Sequence, residues 1–474
     1  MAREKPDPDR LSIEVKEVYP MRLGRLASLI GGRLLRGSPR TPVKQATYGK
    51  TRHLKERVVL FFNPRKNAEK QLASLQRKRS AGVICPAGWS RKIPSSHAVI
   101  EVSDSKKALW KLVHWLRAQS RAVFIGITGS AGKTTTKEMT ASILSTKYKV
   151  LKSVANNNLY SLMPQNLIQL HPDHQVVVLE MGMAGFGNIR KQCGVAKPSL
   201  GIVTNVGEAH VGKLGHSLAN VARAKQELIN GLTRGGTLIL NADDPGSKRL
   251  STRGFRGKVI TLGIKNPATI RATRVKYTKN GMSFYIGKVP YQIPIWGRHN
   301  VYNALAAIAV ARQLNVPTPW IQKGLRSFPA PRMRLQRIKG IKNWLLINDC
   351  YNANPSAMIA GLKVLMRVAE KKHSVAVLGD MHSLGKLSLE SHRKVGKFVA
   401  RLNPSALITV GPQAIEIAKG ASLAGYKGKI HSLPNQPAKV ANYLRKNVPK
   451  GSVLYFKASR NTALEKTVNK IRAK

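Results

Sequence analysis

The sequence predicts an α/β protein of three domains. These are an N-terminal α/β domain over residues 1–118, a central P-loop parallel-sheet domain over 119–330 and a C-terminal Rossmann-like α/β domain over 331–474. Three observations predict it. Short β-branched runs alternate with helical stretches, the pattern of a parallel sheet with crossover helices. One run enters a glycine-rich turn that ends in Lys-Thr and opens a helix. A proline-rich stretch, FPAPRMR at 328–334, interrupts the alternation and makes a natural hinge.

In the first domain the apolar runs are VVLFF (58–62), AGVICP (81–86) and HAVIEV (97–102), set among basic helical stretches. KALWKLVHWLRAQ, Lys107–Gln119, carries apolar residues at helical spacing and leads out of the domain. The central domain follows with AVFIGIT as a strand and TTTKEMTASILSTK as a helix. QVVVLEMG, LGIVTNVG and GTLILNADD are further strands that end in polar or glycine residues. Residues 255–296 read as more β-rich, with Asn280-Gly281 as a hairpin turn, and RHNVYNALAAIAVARQL reads as a strong helix. Past the hinge, WLLIND, SVAVLGD, ALITVG and SVLYFKAS repeat the alternation.

The 474 residues are 42% hydrophobic, enough to bury a core in each of several domains. Cys85, Cys193 and Cys350 are widely spaced, with no disulfide or metal-ligand pattern, which fits a reducing cytosol. The first residues carry charge and proline rather than a leader's apolar stretch, and no apolar run approaches the ~20 residues of a membrane helix. The expected location is cytoplasmic. Lys and Arg number 81 against 22 Asp and Glu, a formal net charge of +59. Nucleic acid or another polyanion is thereby a possible partner through non-specific charge only, since no nucleic-acid-binding motif accompanies the bases.

The glycine-rich turn, GITGSAGKTTT at 126–136, lacks the first glycine of the usual phosphate-loop pattern; Ile127 stands there. A strand before, a helix after and Lys-Thr at the junction still make an anion site from backbone N–H groups at the helix start. Gly129, Ser130, Ala131, Gly132 and Thr135 shape it. Lys133 supplies a positive charge for outer phosphates, and Thr134 a hydroxyl for Mg²⁺.

The short T-G-x-x-G-K-T-T form resembles that of the Mur ligase family, the ATP-dependent amide-forming ligases of bacterial cell-wall synthesis. VLEMGM (178–183), VTNVGEAHVGKLGH (203–216), ARAKQEL (222–228), LNADDP (240–245), GRHNVYNALAA (297–307), NDCYNANPSAM (348–358), VLGDM (377–381) and FKASR (456–460) follow in family order. The resemblance covers residues ~119–470 well and 1–118 weakly. It implies ATP and two Mg²⁺ ions, an acyl-phosphate intermediate, and small-molecule substrates. The nearest activity is addition of D-alanyl-D-alanine to UDP-N-acetylmuramoyl-tripeptide in peptidoglycan precursor synthesis.

Carried over position by position, the resemblance implies Glu180 as a Mg²⁺ ligand with Thr134. His210 and a carbamylated Lys225 would serve a second ion. Asn300 would meet the adenine, Arg334 the phosphates, and Asp349 the ribose or that arginine. Tyr351, Asn352 and Asn354 would help from the same loop, and Lys457, Ser459 and Arg460 would line the incoming amine's side. Glu180 ends an apolar strand, where a carboxylate needs a cation to offset its desolvation.

The substrate side departs from the family. A run like N-x-N-N-E-I-G-x-P reads N-N-N-L-Y-S-L-M-P at 156–164. Asn156 and Asn158 remain as substrate residues, while Leu159, Tyr160 and Leu162 replace the rest. The uridine-contacting residues of relatives have no counterpart around Tyr48-Gly49-Lys50, and Ala184-Gly185 replaces an Asn-His pair. Two alternatives therefore stay open: a paralogue joining another carboxylate and amine, and a nucleotide-binding relative without catalysis.

Overall fold

The computed structural model describes residues 21–473 except His210 and His216. The chain forms two compact units, one running to Val123 and including Lys149–Val177, the other comprising Phe124–Tyr148 and Val178 onward.

The first unit holds a five-stranded sheet in the order Arg33–Arg36, Val99–Val102, Gly82–Pro86, Val58–Phe61, Gln45–Tyr48. The last four are parallel and the first is an antiparallel edge. Val58–Phe61 is buried along its whole length, which is why it reads as an unbroken apolar run. The helix predicted from Lys107 begins at Ser105 instead, because Asp104 caps it by accepting N–H bonds from Lys106 and Lys107 at 2.7 and 2.8 Å.

In the second unit the strands Thr237–Asn241, Leu200–Val203 and Val123–Thr128 are adjacent and parallel, with Lys258–Gly263 beside Thr237–Asn241. Val176–Glu180 follows beyond Val123–Thr128, where the Met181 N–H donates to Ile127 O at 2.8 Å. Ile270–Thr278, Gly281–Ile286 and Val289–Ile293 continue the sheet on its other side, the last two by antiparallel pairing. The hairpin expected at Asn280-Gly281 is present but shifted by one residue: Thr278 pairs with Gly281, so Lys279 and Asn280 make the loop. Gly281 is needed in the strand itself, where a Cβ would run into the Ile293 carbonyl.

A second sheet of this unit runs Gln336–Lys339, Leu345–Asn348, Val453–Lys457, Ser374–Gly379, Ala406–Val410, Lys429–Leu433, parallel apart from the first pair. Between the two sheets lies the proline-rich stretch. Its residues Met333 and Leu335 take left-handed backbone at φ +55° and +49°. Such geometry costs roughly 1 kcal/mol per residue. Two side chains hold it: Gln336 Oε1 accepts the Met333 N–H at 3.1 Å, and Asp349 Oδ1 accepts the Leu335 N–H at 3.2 Å. Among the described residues no helix is long and apolar enough to cross a membrane.

Candidate active site

Parallel sheets place ligands at the carboxyl ends of their strands. Thr128, Glu180 and Val203 end three neighbouring strands of the second unit, and the predicted phosphate loop springs from the first of them.

The loop runs from Gly129 to Gly132 and opens the helix Lys133–Leu144. Gly129 and Gly132 have φ of +147° and +84°, and a Cβ on either would strike Thr204 Oγ1 or Asn303 Oδ1. Ile127, in place of the usual first glycine, is a buried strand residue paired with Ile202. The loop is closed from the strand beside it. The Thr204 hydroxyl donates to Ala131 O at 2.6 Å, the Ala131 N–H donates to Asn205 Oδ1 at 2.9 Å, and Ser130 and Gly207 exchange bonds at 2.8 and 2.9 Å. These clasp residues lie in the quoted motif V-T-N-V-G, but nothing in their spacing announced the partnership.

At the helix start the Thr134 hydroxyl donates to Glu180 Oε2 at 2.8 Å and accepts from Arg334 Nη2 at 2.9 Å. Thr134 and Glu180 are buried, and Thr135 is buried behind them. The Arg334 guanidinium also stacks on the Tyr351 ring, 4.4 Å from its centre. Lys133 Nζ donates to Gly129 O at 2.6 Å. Burial lowers the Lys133 pKa, Glu180 opposes that, and Arg334 adds to it. Glu180 thus meets the cations that its buried position requires.

Lys225 is fully buried on the helix Leu218–Asn230. Its Nζ lies 3.9 Å from Met183 Sδ. Burial first, and then the charge of Lys133, push its pKa well below the ordinary lysine value. His210 lies outside the described residues. Among the described residues no cluster of three or more His, Cys, Asp or Glu side chains is arranged to hold a metal. The donor set Thr134 Oγ1 and Glu180 carboxylate is hard oxygen, which suits Mg²⁺.

Asn300 is buried on the helix Arg298–Gln313 with both ends of its amide engaged. Nδ2 donates to Trp296 O at 2.7 Å, and Oδ1 accepts from Asn303 Nδ2 at 2.9 Å. Asn303 Oδ1 in turn accepts from the Thr136 hydroxyl at 3.1 Å, which ties this helix to the phosphate loop. Beside Asn300, burial pushes the His299 pKa down to about 4, against the charge of Asp349 and helped by that of Lys457.

Asp349 Oδ2 accepts from Lys457 Nζ at 2.6 Å and from the Tyr455 hydroxyl at 3.1 Å. Two residues expected on different sides of the chemistry are therefore one buried ion pair. Asn354 caps the helix Pro355–Ala369 through the Ala357 N–H at 2.9 Å, and Asn352 Oδ1 accepts the Ala353 N–H at 2.9 Å. Ser459 Oγ accepts the His382 N–H at 2.9 Å, and Arg460 pairs with Glu465 at 3.2 Å.

The other expected substrate residues lie in the first unit. Asn156 is exposed and Asn158 half-buried. Their loop is held by Asn166, which accepts the Val154 N–H at 3.0 Å and donates to Asn157 O at 2.8 Å. Tyr160, one of the departing residues, stacks on Trp110 with ring centres 4.7 Å apart.

Residues 127–311 match the Mur ligase middle domain, and residues 333–460 match the glutamate ligase domain of Mur ligases. The chain is 34% identical over 385 residues to the UDP-N-acetylmuramoyl-tripeptide--D-alanyl-D-alanine ligase of Bacillus subtilis (strain 168), covering 80% of this chain and 83% of that protein. The enzyme of the same name from Escherichia coli (strain K12) is 35% identical over 328 residues, 67% of this chain and 72% of that one. A crystal structure of MurF from Acinetobacter baumannii superposes with a TM-score of 0.79 at 27% identity, covering 96% of this chain and 99% of that chain.

Proposed function

The chain belongs to the Mur ligase family, and from that premise we propose that it adds D-alanyl-D-alanine to UDP-N-acetylmuramoyl-tripeptide, with ATP converted to ADP and phosphate. One observation carries the reading: Thr134 at the head of the phosphate loop is bonded to both Glu180 and Arg334 in a chain this similar to such ligases.

The substrate carboxylate attacks the γ-phosphorus of ATP, the bond to the β-phosphate oxygen breaks, and an acyl phosphate forms. The amine of the dipeptide then attacks the acyl carbon, loses its proton to solvent and expels phosphate. Negative charge gathers at each stage, so fixed cations do most of the catalytic work. The backbone of Gly129–Thr135 cradles the phosphates, and Lys133 faces the transferred group. Arg334 reaches the outer phosphates from the strained linker, which bends where it must to bring the two sheets' residues together. Tyr351 holds the guanidinium flat.

Thr134 and Glu180 would hold one Mg²⁺, with His210 and a carbamylated Lys225 at a second. Bound there, the ions neutralise phosphate charge. The chemistry of Lys225 supports its part: burial and the charge of Lys133 disfavour its ammonium form, and a neutral amine is what combines with CO₂ to give a carbamate and a proton. Asn300 stays on the base side of the nucleotide, and its engaged amide makes it a support for that wall as well as a candidate contact. By the resemblance, Asp349 serves the ribose or Arg334, Lys457, Ser459 and Arg460 the amine side with Asn352 and Asn354 as further substrate residues, and Asn156 and Asn158 the acceptor substrate. The three-domain division at 118 and 330 and a cytoplasmic place of work are part of this proposal.

A second reading, a paralogue with another acceptor, is favoured by Leu159, Tyr160 and Leu162 and by the Tyr160–Trp110 stack, which replace a polar stretch of relatives. Phosphate release with UDP-muramoyl-tripeptide and D-Ala-D-Ala tests the two. Release that needs both substrates supports the first. Release only with a different acid–amine pair supports the second, and no ATP consumption with any pair removes both.

A further inference from the structure

The motif LNADDP contributes two adjacent carboxylates that the proposed chemistry does not use. They follow the strand Thr237–Asn241 and point to different walls of the site.

Asp243 is saturated with donors. Its Oδ2 accepts the N–H groups of Ile264 and Lys265 at 2.6 and 2.8 Å and the Tyr302 hydroxyl at 2.7 Å, and its Oδ1 accepts the Asn266 N–H at 2.8 Å. Burial pushes this carboxyl up, but these bonds overcome it and hold the pKa at about 2, so the group is an anion at every working pH. Tyr302 lies on the helix Arg298–Gln313, between Asn300 and Asn303 in sequence. That helix meets the phosphate loop through Asn303 and Thr136. Two consecutive residues near the start of this helix thus anchor it, Tyr302 to Asp243 and Asn303 to the helix that follows the phosphate loop.

Asp244 turns the other way. Its Oδ2 accepts the Val206 N–H at 2.9 Å, the Ser247 N–H at 2.8 Å and the Ser247 hydroxyl at 2.6 Å. Val206 sits between Asn205, which clasps Ala131, and Gly207, which clasps Ser130. Gly246 lies so close to Val206 that a Cβ would strike its carbonyl. Asp244 therefore fixes the segment that closes the phosphate loop and then runs on toward Glu208.

We propose that Asp243 and Asp244 are positioning residues with divided duties: Asp243, through Tyr302, sets the helix on the base side of the nucleotide, and Asp244, through Val206, sets the clasp over its phosphates. A ligand-binding wall held within about half an ångström is what separates tight from loose sites. This division rests on the ATP-ligase reading given above.

The test is a split between kinetic parameters in the full-length protein. Tyr302→Phe removes one hydroxyl and nothing of the fold's shape. It raises KM for ATP about fivefold to twentyfold and leaves kcat within about twofold. Asp244→Asn lowers kcat about tenfold or more and leaves KM for ATP within about threefold. Ser247→Ala gives a milder form of the second effect should Asp244→Asn fold poorly. Adding Asp243→Asn to Tyr302→Phe raises KM no further than Asp243→Asn alone, because both act through one contact. Equal changes in both parameters for both residues, or lost thermal stability with unchanged kinetics, overturns the division. Wild-type protein that neither binds nor consumes ATP would instead bring down the ligase reading and this division with it; active wild type with indifferent variants brings down the division alone.

Discussion

Thr134 and Glu180 stand 46 residues apart in the chain and 2.8 Å apart in space, hydroxyl to carboxylate. The contact joins the head of the phosphate loop to the end of a neighbouring strand, and Arg334 completes it from within the linker. A hydroxyl is the shared chemical need, so Thr134→Ser retains most activity. Thr134→Ala and Glu180→Gln each lower kcat by about 10²–10³, the scale of removing one preorganised electrostatic contact. Phosphate release at saturating ATP measures it. Near-wild-type turnover in Thr134→Ala removes the hydroxyl from the mechanism.

Lys225 has the least comfortable position in the site. A buried ammonium with a thioether for company is destabilising, and its pKa is depressed by burial and by Lys133. The sign follows directly. Between the depressed folded value and the unfolded value of about 10.4, the unfolded chain binds a proton that the folded chain does not, so stability rises with pH across that window. In CO₂-free buffer Lys225→Met flattens that rise and raises stability near neutral pH by about 1–3 kcal/mol, while ligation falls by about 10² or more. Urea titrations at several pH values read the first effect. Partial rescue of Lys225→Ala by short carboxylates reads the second, and full activity in either variant removes Lys225 from the site.

The strands and the phosphate loop were legible because they are local. A β-branched run that stops at a glycine or an acid announces a strand end, and Lys133-Thr134 at the next helix announces an anion site. The failures were of two kinds. The hairpin at Asn280-Gly281 slipped by one residue because Gly281 serves the Ile293 carbonyl across the sheet rather than the turn, which no local pattern shows. The pairing of Asp349 with Lys457, 108 residues apart, comes from two distant strands lying side by side in one sheet, and that of Arg334 with Thr134, 200 residues apart, from how the two sheets of the second unit face each other. Periodicity carries no information on that. Family motifs marked the residues as important without saying which touches which.

His299 sets an acid limit. Burial holds its pKa at about 4, although Asp349 pulls the other way. The folded value lies below the unfolded value of about 6.5, so the unfolded chain takes up the proton first as pH falls. Stability contributed by the neutral ring is whole above pH about 6.5 and is lost progressively toward pH 4, by at most about 3 kcal/mol. His299→Gln keeps the ring's hydrogen-bonding character without a titratable group and flattens this acid limb. Melting temperatures at half-unit steps from pH 7 to 4 check it; parallel curves for the two proteins contradict the assignment.

Lys457 and Asp349 separate a structural duty from a substrate duty. Their side chains are 4% and 13% exposed, so each ion relies on the other for its solvation. Removing one partner leaves a buried unpaired charge, and Lys457→Met costs about 3–5 kcal/mol of stability. Lys457→Met combined with Asp349→Asn recovers part of that, because no bare carboxylate remains. A second comparison addresses the amine side of the reaction. Lys457→Arg keeps the positive charge beside Asp349 but moves it, so its stability stays within about 1.5 kcal/mol of wild type. If Lys457 also meets the incoming dipeptide, that variant shows a raised KM for D-alanyl-D-alanine with an unchanged KM for ATP. A Lys457→Arg protein that is stable and kinetically normal confines this lysine to the ion pair, and the contacts of the amine then fall to Ser459 and Arg460.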